Sequence, residues 1–161
     1  MAKAMKQATL CYCLKGNQVL LGMKQRGFGE GKWNGGGGKP MYSGETMRMV
    51  TRRELREEFG IETKVSDFTQ VALIRFYFMG EPKFECHVFT ITRWTGEPIE
   101  TEEMKPQWFN LDQIPYHDMW AADSSWLPLI LGGMKIEATV DFADPEGLTV
   151  GKFEYKQRRF N

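Results

Sequence analysis

Residues 35–61 read GGGGKPMYSGETMRMVTRRELREEFGI. Four glycines run into Lys39 and Pro40, a short loop follows, and the stretch ends in arginines and glutamates closed by Gly60. Thr46 suits a helix N-cap, because its hydroxyl can accept from a first-turn N–H, and Gly60 suits the left-handed residue that ends a helix. A helix is therefore predicted from Thr46 to Phe59. At 100° per residue with Glu54 at zero, Glu58 falls at about 40° and Glu57 at about −60°. Met47 lies near 20°, Val50 near −40° and Leu55 near 100°, while Arg48, Arg52 and Arg56 fall between about 120° and 200°. One stripe thus begins apolar and ends in three carboxylates, and the opposite stripe is basic.

A solvated, salt-bridged surface helix is one reading of those charges, and Arg53 does stand i,i+4 to Glu57. Three acids on the core-facing stripe, however, repel each other and resist burial. A cation resolves that conflict. Carboxylate oxygens are hard ligands suited to Mg²⁺ or Mn²⁺. Glycines without Cβ atoms let backbone fold tightly and come close to a ligand, with carbonyls available to a metal and amides to phosphate. With Asn34 and Lys39 flanking the run, the combination points to phosphate-ester chemistry.

Outward from this stretch, ATLCYCLKGNQVLLGMK (8–24) reads as two strands turning at Lys15-Gly16-Asn17. QRGFGEGKWNGGGG (25–38) is a glycine-dense loop with no dinucleotide fingerprint between strand and helix. VALIRFYFMG (71–80) and FECHVFTITRW (84–94) read as a hairpin turning at Gly-Glu-Pro-Lys. PQWFNLDQI (106–114) is a short strand leaving into a loop, SSWLPLILGG (124–133) a short helix, and 135–155 two final strands. Strands lead and trail, with one acidic helix early and one apolar helix late. This order predicts a single α/β domain over residues 1–161, a mixed sandwich and not a βαβ repeat.

Composition narrows the function classes. The chain has 161 residues, 42% of them hydrophobic, with 21 basic and 21 acidic residues and a formal net charge of zero. One ordinary domain with a real core is expected, without the basic field that grasps a nucleic-acid polymer. The KQRR run near the C-terminus is read as a solvated end. Three cysteines, Cys11, Cys13 and Cys86, form no CxxC pair, and Cys11 and Cys13 would share one strand face as small buried hydrophobes. An odd count without a framework fits a reducing cytosol. MAKAMKQATL lacks the long apolar core of a signal peptide, and no apolar run reaches the roughly 20 residues of a membrane span. A cytoplasmic location and no membrane partner are the expectations. His87 and His117 are read as polar packing residues, not as a catalytic pair.

RELREEFGI (53–61), with Glu45 eight positions before Arg53, resembles the Nudix box. Glu45, Arg53, Glu54, Leu55, Glu57, Glu58, Gly60 and Ile61 all match the pattern, and the box spans approximately 38–61. One position departs: the pattern places its first glycine six before Glu45, where this chain has Lys39, so KPMYSG is one residue longer. Segments outside the box, including VLLGMKQRGFGEGKWNGGGGK and EEMKPQWFNLDQIPYHDMW, are similar to the MutT-related branch that acts on oxidised purine nucleoside triphosphates.

The resemblance implies a Nudix α/β/α sandwich with a mixed β-sheet and a loop–helix–loop catalytic motif. It implies Mg²⁺-dependent hydrolysis of a triphosphate to monophosphate and pyrophosphate, sanitising the nucleotide pool, with Mn²⁺ as a substitute. Glu54, Glu57 and Glu58 would bind metal and help activate water, with the Gly37 carbonyl and Glu103 as further ligands. Arg53 would pair with Glu45 and fix the helix. Thr9, Lys24, Phe28, Asn34, Phe76, Trp120 and Asp123 would surround the nucleotide. The related branch carries two adjacent aspartates after this Trp, whereas WAADSS offers Ala122 and Asp123. An alanine cannot bond a base edge, and one lost buried polar contact is worth about 1–3 kcal/mol. The small-molecule nucleotide is the expected partner and a monomer the expected state. Hydrolysis of another nucleoside diphosphate derivative, or a non-catalytic nucleotide-binding module, are the competing readings.

Overall fold

The computed structural model describes residues 4–161, so the first three residues of the opening decapeptide lie outside the described residues. Strands β1 (Lys6–Lys15) and β2 (Gln18–Lys24) form the first hairpin, and β3 is the short Trp33–Asn34. Helix α1 (Met47–Phe59) follows, then β4 (Thr69–Phe78), β5 (Glu81–Ile91), β6 (Met104–Asn110), α2 (Asp123–Leu131), β7 (Ile136–Phe142) and β8 (Val150–Gln157). The predicted elements are present with small shifts at their ends, and β3 is an addition inside the glycine-dense loop.

The strands lie in the order β3-β2-β1-β5-β4-β7-β8, with β6 paired to β2. Pairing is mixed: β1 with β5 and β4 with β7 are parallel, and β4 with β5 and β7 with β8 are antiparallel. A bare two-residue turn, Met79-Gly80, joins β4 to β5 with φ of 52° and 80°. That corrects the expected Gly-Glu-Pro-Lys turn. Pro82 instead enters β5 opposite Tyr77, beside a register shift that absorbs its missing N–H.

One apolar cluster lies under α1 and holds Cys11, Cys13, Leu55, Phe59, Phe89 and Ile91. The other lies under α2 and holds Tyr12, Ile74, Val88, Trp126, Leu127 and Val140. Helices therefore cover both faces of the sheet, as the resemblance implied. All three cysteines are free and buried.

What creates the site is a split in the sheet. β1 pairs with β2 only beside their turn, Leu14 with Val19 and Lys15 with Gln18. Beyond that point the two strands diverge, and β2 is held by β6 along its other edge from Gln18 to Lys24. The glycine run fills the edge of β1 that β2 vacates: Gly36 forms a bridge with Cys11, and Thr9 N–H donates to the Gly38 carbonyl at 2.8 Å. Added Cβ atoms would lie 2.7 Å from the Cys11 carbonyl oxygen at Gly35, 2.6 Å from Leu55 Cδ2 at Gly36 and 2.0 Å from the Thr9 carbonyl oxygen at Gly37. The bare backbone is thus needed to wedge the run between β1 and α1, beyond the ligand access expected of it.

Candidate active site

Helix α1 carries the acids as its local signals direct. Thr46 Oγ1 accepts from Met49 N–H at 3.2 Å, and Gly60 ends the helix at φ 69°. Glu58 is 2% exposed, the Glu54 side chain 17% and the Glu57 side chain 52%, so the acids form a gradient and not three equal inward groups. On the opposite stripe Arg52 and Arg56 are exposed as expected, and Arg48 is partly buried. Arg48 donates to the Val65 and Phe68 carbonyls and stacks over Phe89 at 5.2 Å.

Arg53 fastens the loop to the helix. Its Nε donates to Glu45 Oε2 at 3.0 Å, Nη1 to Glu54 Oε1 at 2.8 Å and Nη2 to the Lys39 carbonyl at 3.0 Å. Glu45 also accepts from Met41 N–H at 2.8 Å, and the Arg53 bonds hold its carboxyl below the usual range. With Lys39 and Met41 both tied to this pair, the extra residue is taken up in an outward arc where Met41 and Tyr42 are 73% and 55% exposed.

Gly37 N–H donates to Glu58 Oε1 at 2.8 Å. The amide thus goes to a carboxylate where the sequence suggested phosphate. Since Gly36 and Gly38 turn their carbonyls to β1, extended backbone turns that of Gly37 to the Glu58 side. Burial pushes Glu58 up to about 8 and also raises Glu54. Glu103, on the turn before β6, accepts from Arg26 Nε at 2.8 Å and Lys24 Nζ at 3.4 Å, and the Arg26 bond lowers its pKa.

A cavity of about 580 Å³ joins these acids to an aromatic chamber. Gly37, Glu54, Glu57, Glu58, Glu103 and Lys24 line it. Thr9, Phe28, Asn34, Phe76, Trp120 and Asp123 line it too, so every predicted site residue except Arg53 and Glu45 reaches one space. Those two act from behind. Asn34 uses its side-chain oxygen internally, accepting from Gly35 N–H at 2.8 Å and Tyr12 O–H at 3.4 Å, which leaves its NH₂ donors for the cavity. Asp123 is 3% exposed, its Oδ2 has no partner, and burial pushes it up to about 7. Ala122 packs fully buried in the core cluster, leaving Asp123 as the acid of that segment that lines the chamber.

Phe28 lies against Trp120 with ring centroids 5.0 Å apart and a 31° tilt. Residues not singled out beforehand complete the chamber: Phe78, Phe84, Cys86 and Phe142. Their signal was strand alternation, since Phe78 shares a face with Phe76, and Cys86 with Phe84. Pairing of Phe76 with Phe84 and of Phe78 with Phe142 then gathers them, and no local pattern reports that pairing. His87 bridges Gln7 and Gln70 as a packing residue, and His117 is exposed beside Asp118.

Among the described residues, no group of three or more His, Cys, Asp or Glu side chains is gathered closely enough to hold a metal ion as it stands. The donor chemistry nevertheless fits a hard divalent cation: Glu54, Glu57, Glu58 and Glu103 line one cavity together with Gly37, and burial holds the Glu58 carboxyl well above its ordinary range.

A split mixed sheet, helices on both faces and an acidic box helix opening on a nucleotide-sized chamber define a phosphoanhydride-directed architecture. The profile of the NUDIX domain matches residues 5–130, and the chain belongs to that family, whose hydrolases use divalent metals. Two curated relatives are both named oxidized purine nucleoside triphosphate hydrolase. The chain is 47% identical to the Danio rerio protein, over 78% of this chain and 80% of that one, and 46% identical to the Mus musculus protein, over 86% and 87%. The crystal structure of a mutator MutT protein from Bacillus halodurans is similar at TM-score 0.79 and 25% identity, over 94% of this chain and 97% of that one.

Proposed function

We propose that this protein is a Mg²⁺-dependent pyrophosphohydrolase of purine nucleoside triphosphates, with oxidised purines as the preferred class. The carrying observation is one cavity lined both by four carboxylates and by an aromatic group with Asn34 and Asp123. The names of the two vertebrate relatives support the substrate class. Three free, buried cysteines suit a reducing compartment such as the cytosol.

Glu54, Glu57, Glu58 and Glu103, with the Gly37 carbonyl, would hold the cation. When bound, it neutralises phosphate charge and acidifies water. Arg53 and the Gly37 N–H orient Glu54 and Glu58, so the carboxylates are aimed before substrate arrives. Trp120 and Phe28 give the base apolar faces. Asn34 NH₂ donates to a ring acceptor. Asp123, titrating near neutrality, accepts from ring N–H groups when ionised and donates when protonated.

Product analysis over normal and 8-oxo or 2-oxo purine triphosphates, with nucleoside diphosphate derivatives included, tests the proposal. Pyrophosphate and monophosphate are expected; orthophosphate alone, or no turnover of any triphosphate, overturns it. Trp120→Ala should raise KM for purine triphosphates roughly tenfold to a hundredfold, the loss of one stacking surface. In kcat/KM profiles the wild type should bend near pH 7, and Asp123→Asn should lack that bend. The same bend in the variant would remove Asp123 from base recognition.

A further inference from the structure

The turn between β7 and β8 lies beyond residue 130, where the family match ends. It is short, exposed and tightly held. The Asp144 carboxylate accepts backbone N–H bonds from Glu146 at 3.2 Å, Leu148 at 3.0 Å and Thr149 at 2.8 Å, and Ala143 N–H donates to the Thr149 carbonyl at 2.9 Å. Gly147 N–H also donates to the Asp144 carbonyl at 3.5 Å, so five amides of one turn are satisfied within it. Within this exposed turn Gly147 alone is buried, at φ 72°. A Cβ there would lie 3.0 Å from Trp120 Cζ3, 3.4 Å from Trp120 Cε3 and 3.2 Å from Phe78 Cε2. Elsewhere on the same indole, a Cβ on Gly29 would come within 3.5 Å of Nε1, Lys32 Nζ stands 5.5 Å from a ring centroid, and the Phe28 ring lies 5.0 Å away. Trp120 is thus held from the β2–β3 loop and from the β7–β8 turn.

We propose that the Ala143–Thr149 turn, acting through Gly147, is a positioning element for the base: it fixes the plane of Trp120 and so the width of the purine slot. The inference rests on the proposed seating of the purine against Trp120. Gly147 reaches no substrate atom itself. Its missing side chain lets the backbone close on the indole, and Asp144 keeps that backbone from yielding.

The test compares Gly147→Ala with Gly16→Ala. Gly16, in the β1–β2 turn, has φ 57° and no atom within 4 Å of an added Cβ, so it carries the left-handed strain without the contact. Both variants should lose a few degrees of Tm, Gly147→Ala somewhat more because of its contacts. Only Gly147→Ala should raise KM for a purine triphosphate, by about tenfold with kcat little changed, because a ring displaced by a few tenths of an ångström weakens seating and not the metal site. In a Trp120→Ala background the effect should vanish. With 5-fluorotryptophan incorporated, the Trp120 ¹⁹F resonance, assigned through Trp120→Phe, should move in nucleotide-free Gly147→Ala and stay put in Gly16→Ala.

Should Gly147→Ala not fold, Asp144→Ala loosens the turn without adding an atom against the ring. It should raise KM severalfold and broaden that resonance. An unmoved resonance, an unchanged KM in the folded variants, or the same KM change without Trp120 overturns the inference alone. A Trp120→Ala enzyme with wild-type KM overturns the seating on which it rests, and the inference with it.

Discussion

Glu58→Gln should lose turnover by roughly 10²–10⁴-fold while leaving the metal-free protein folded and less sensitive to pH. Glutamine keeps an oxygen to accept the Gly37 N–H, so the packing under the glycine run survives. What it removes is a charge that the folded chain resists holding alone. Burial raises Glu58 from 4.5 to about 8, so the folded state binds its proton across a range in which the unfolded state has released it. In that window the native state carries the extra proton, and the stability of the metal-free wild type falls as pH climbs from about 4.5 to about 8. The contribution lost is on the order of 5 kcal/mol at full extent. Urea melts in chelator at pH 5 and pH 8 should show that decline in the wild type and a flatter profile in Glu58→Gln. Added divalent cation should restore the wild type at pH 8, since a cation favours the ionised carboxylate. Retained wild-type kcat in the variant would remove Glu58 from the chemistry.

Gly37→Ala should destabilise the protein by about 3 kcal/mol or more, or prevent folding. The added methyl would sit 2.0 Å from the Thr9 carbonyl oxygen, 2.7 Å from its carbon and 3.0 Å from Leu10 Cα. All three are backbone atoms of β1, which is paired along β5 from Lys6 to Cys13 and cannot step aside alone. Denaturant midpoints read the effect directly. Gly16→Ala, with strain but open space, supplies the comparison and should cost only about 1 kcal/mol. Equal losses at the two positions would show that the glycine run is not wedged against β1.

Helix α1 was legible because its determinants are local. The Thr46 cap, the Gly60 stop and the apolar stripe through Val50 and Leu55 act within a few residues of each other. The Arg53–Glu45 pair and the box acids followed from a pattern with many fixed positions. The base chamber was legible only in part. Resemblance marked Phe28, Phe76, Trp120 and Asp123, while Phe78, Phe84, Cys86 and Phe142 emerged from strand register. Arg48 illustrates the opposite error: its wheel position reads as solvent, and tertiary packing gave it Phe68 and Val65 carbonyls. Ala122, which cannot bond a base edge, packs into the core.

The sequence by itself determined the first hairpin's turn, the capped acidic helix and the family signature, since turn chemistry, capping and periodicity depend on neighbours along the chain. Only the tertiary structure decided why there are so many glycines and what the acids become. Gly37 meets Thr9 and Glu58 across 28 and 21 positions of sequence, where β1, leaving β2 after one turn, opens an edge just wide enough for bare backbone. That same closure removes water from Glu58, the fold buries Asp123 at the start of α2, and desolvation raises both carboxyls. Close contact and dielectric environment are properties of atoms brought together in space, and residue order specifies them only through the completed fold.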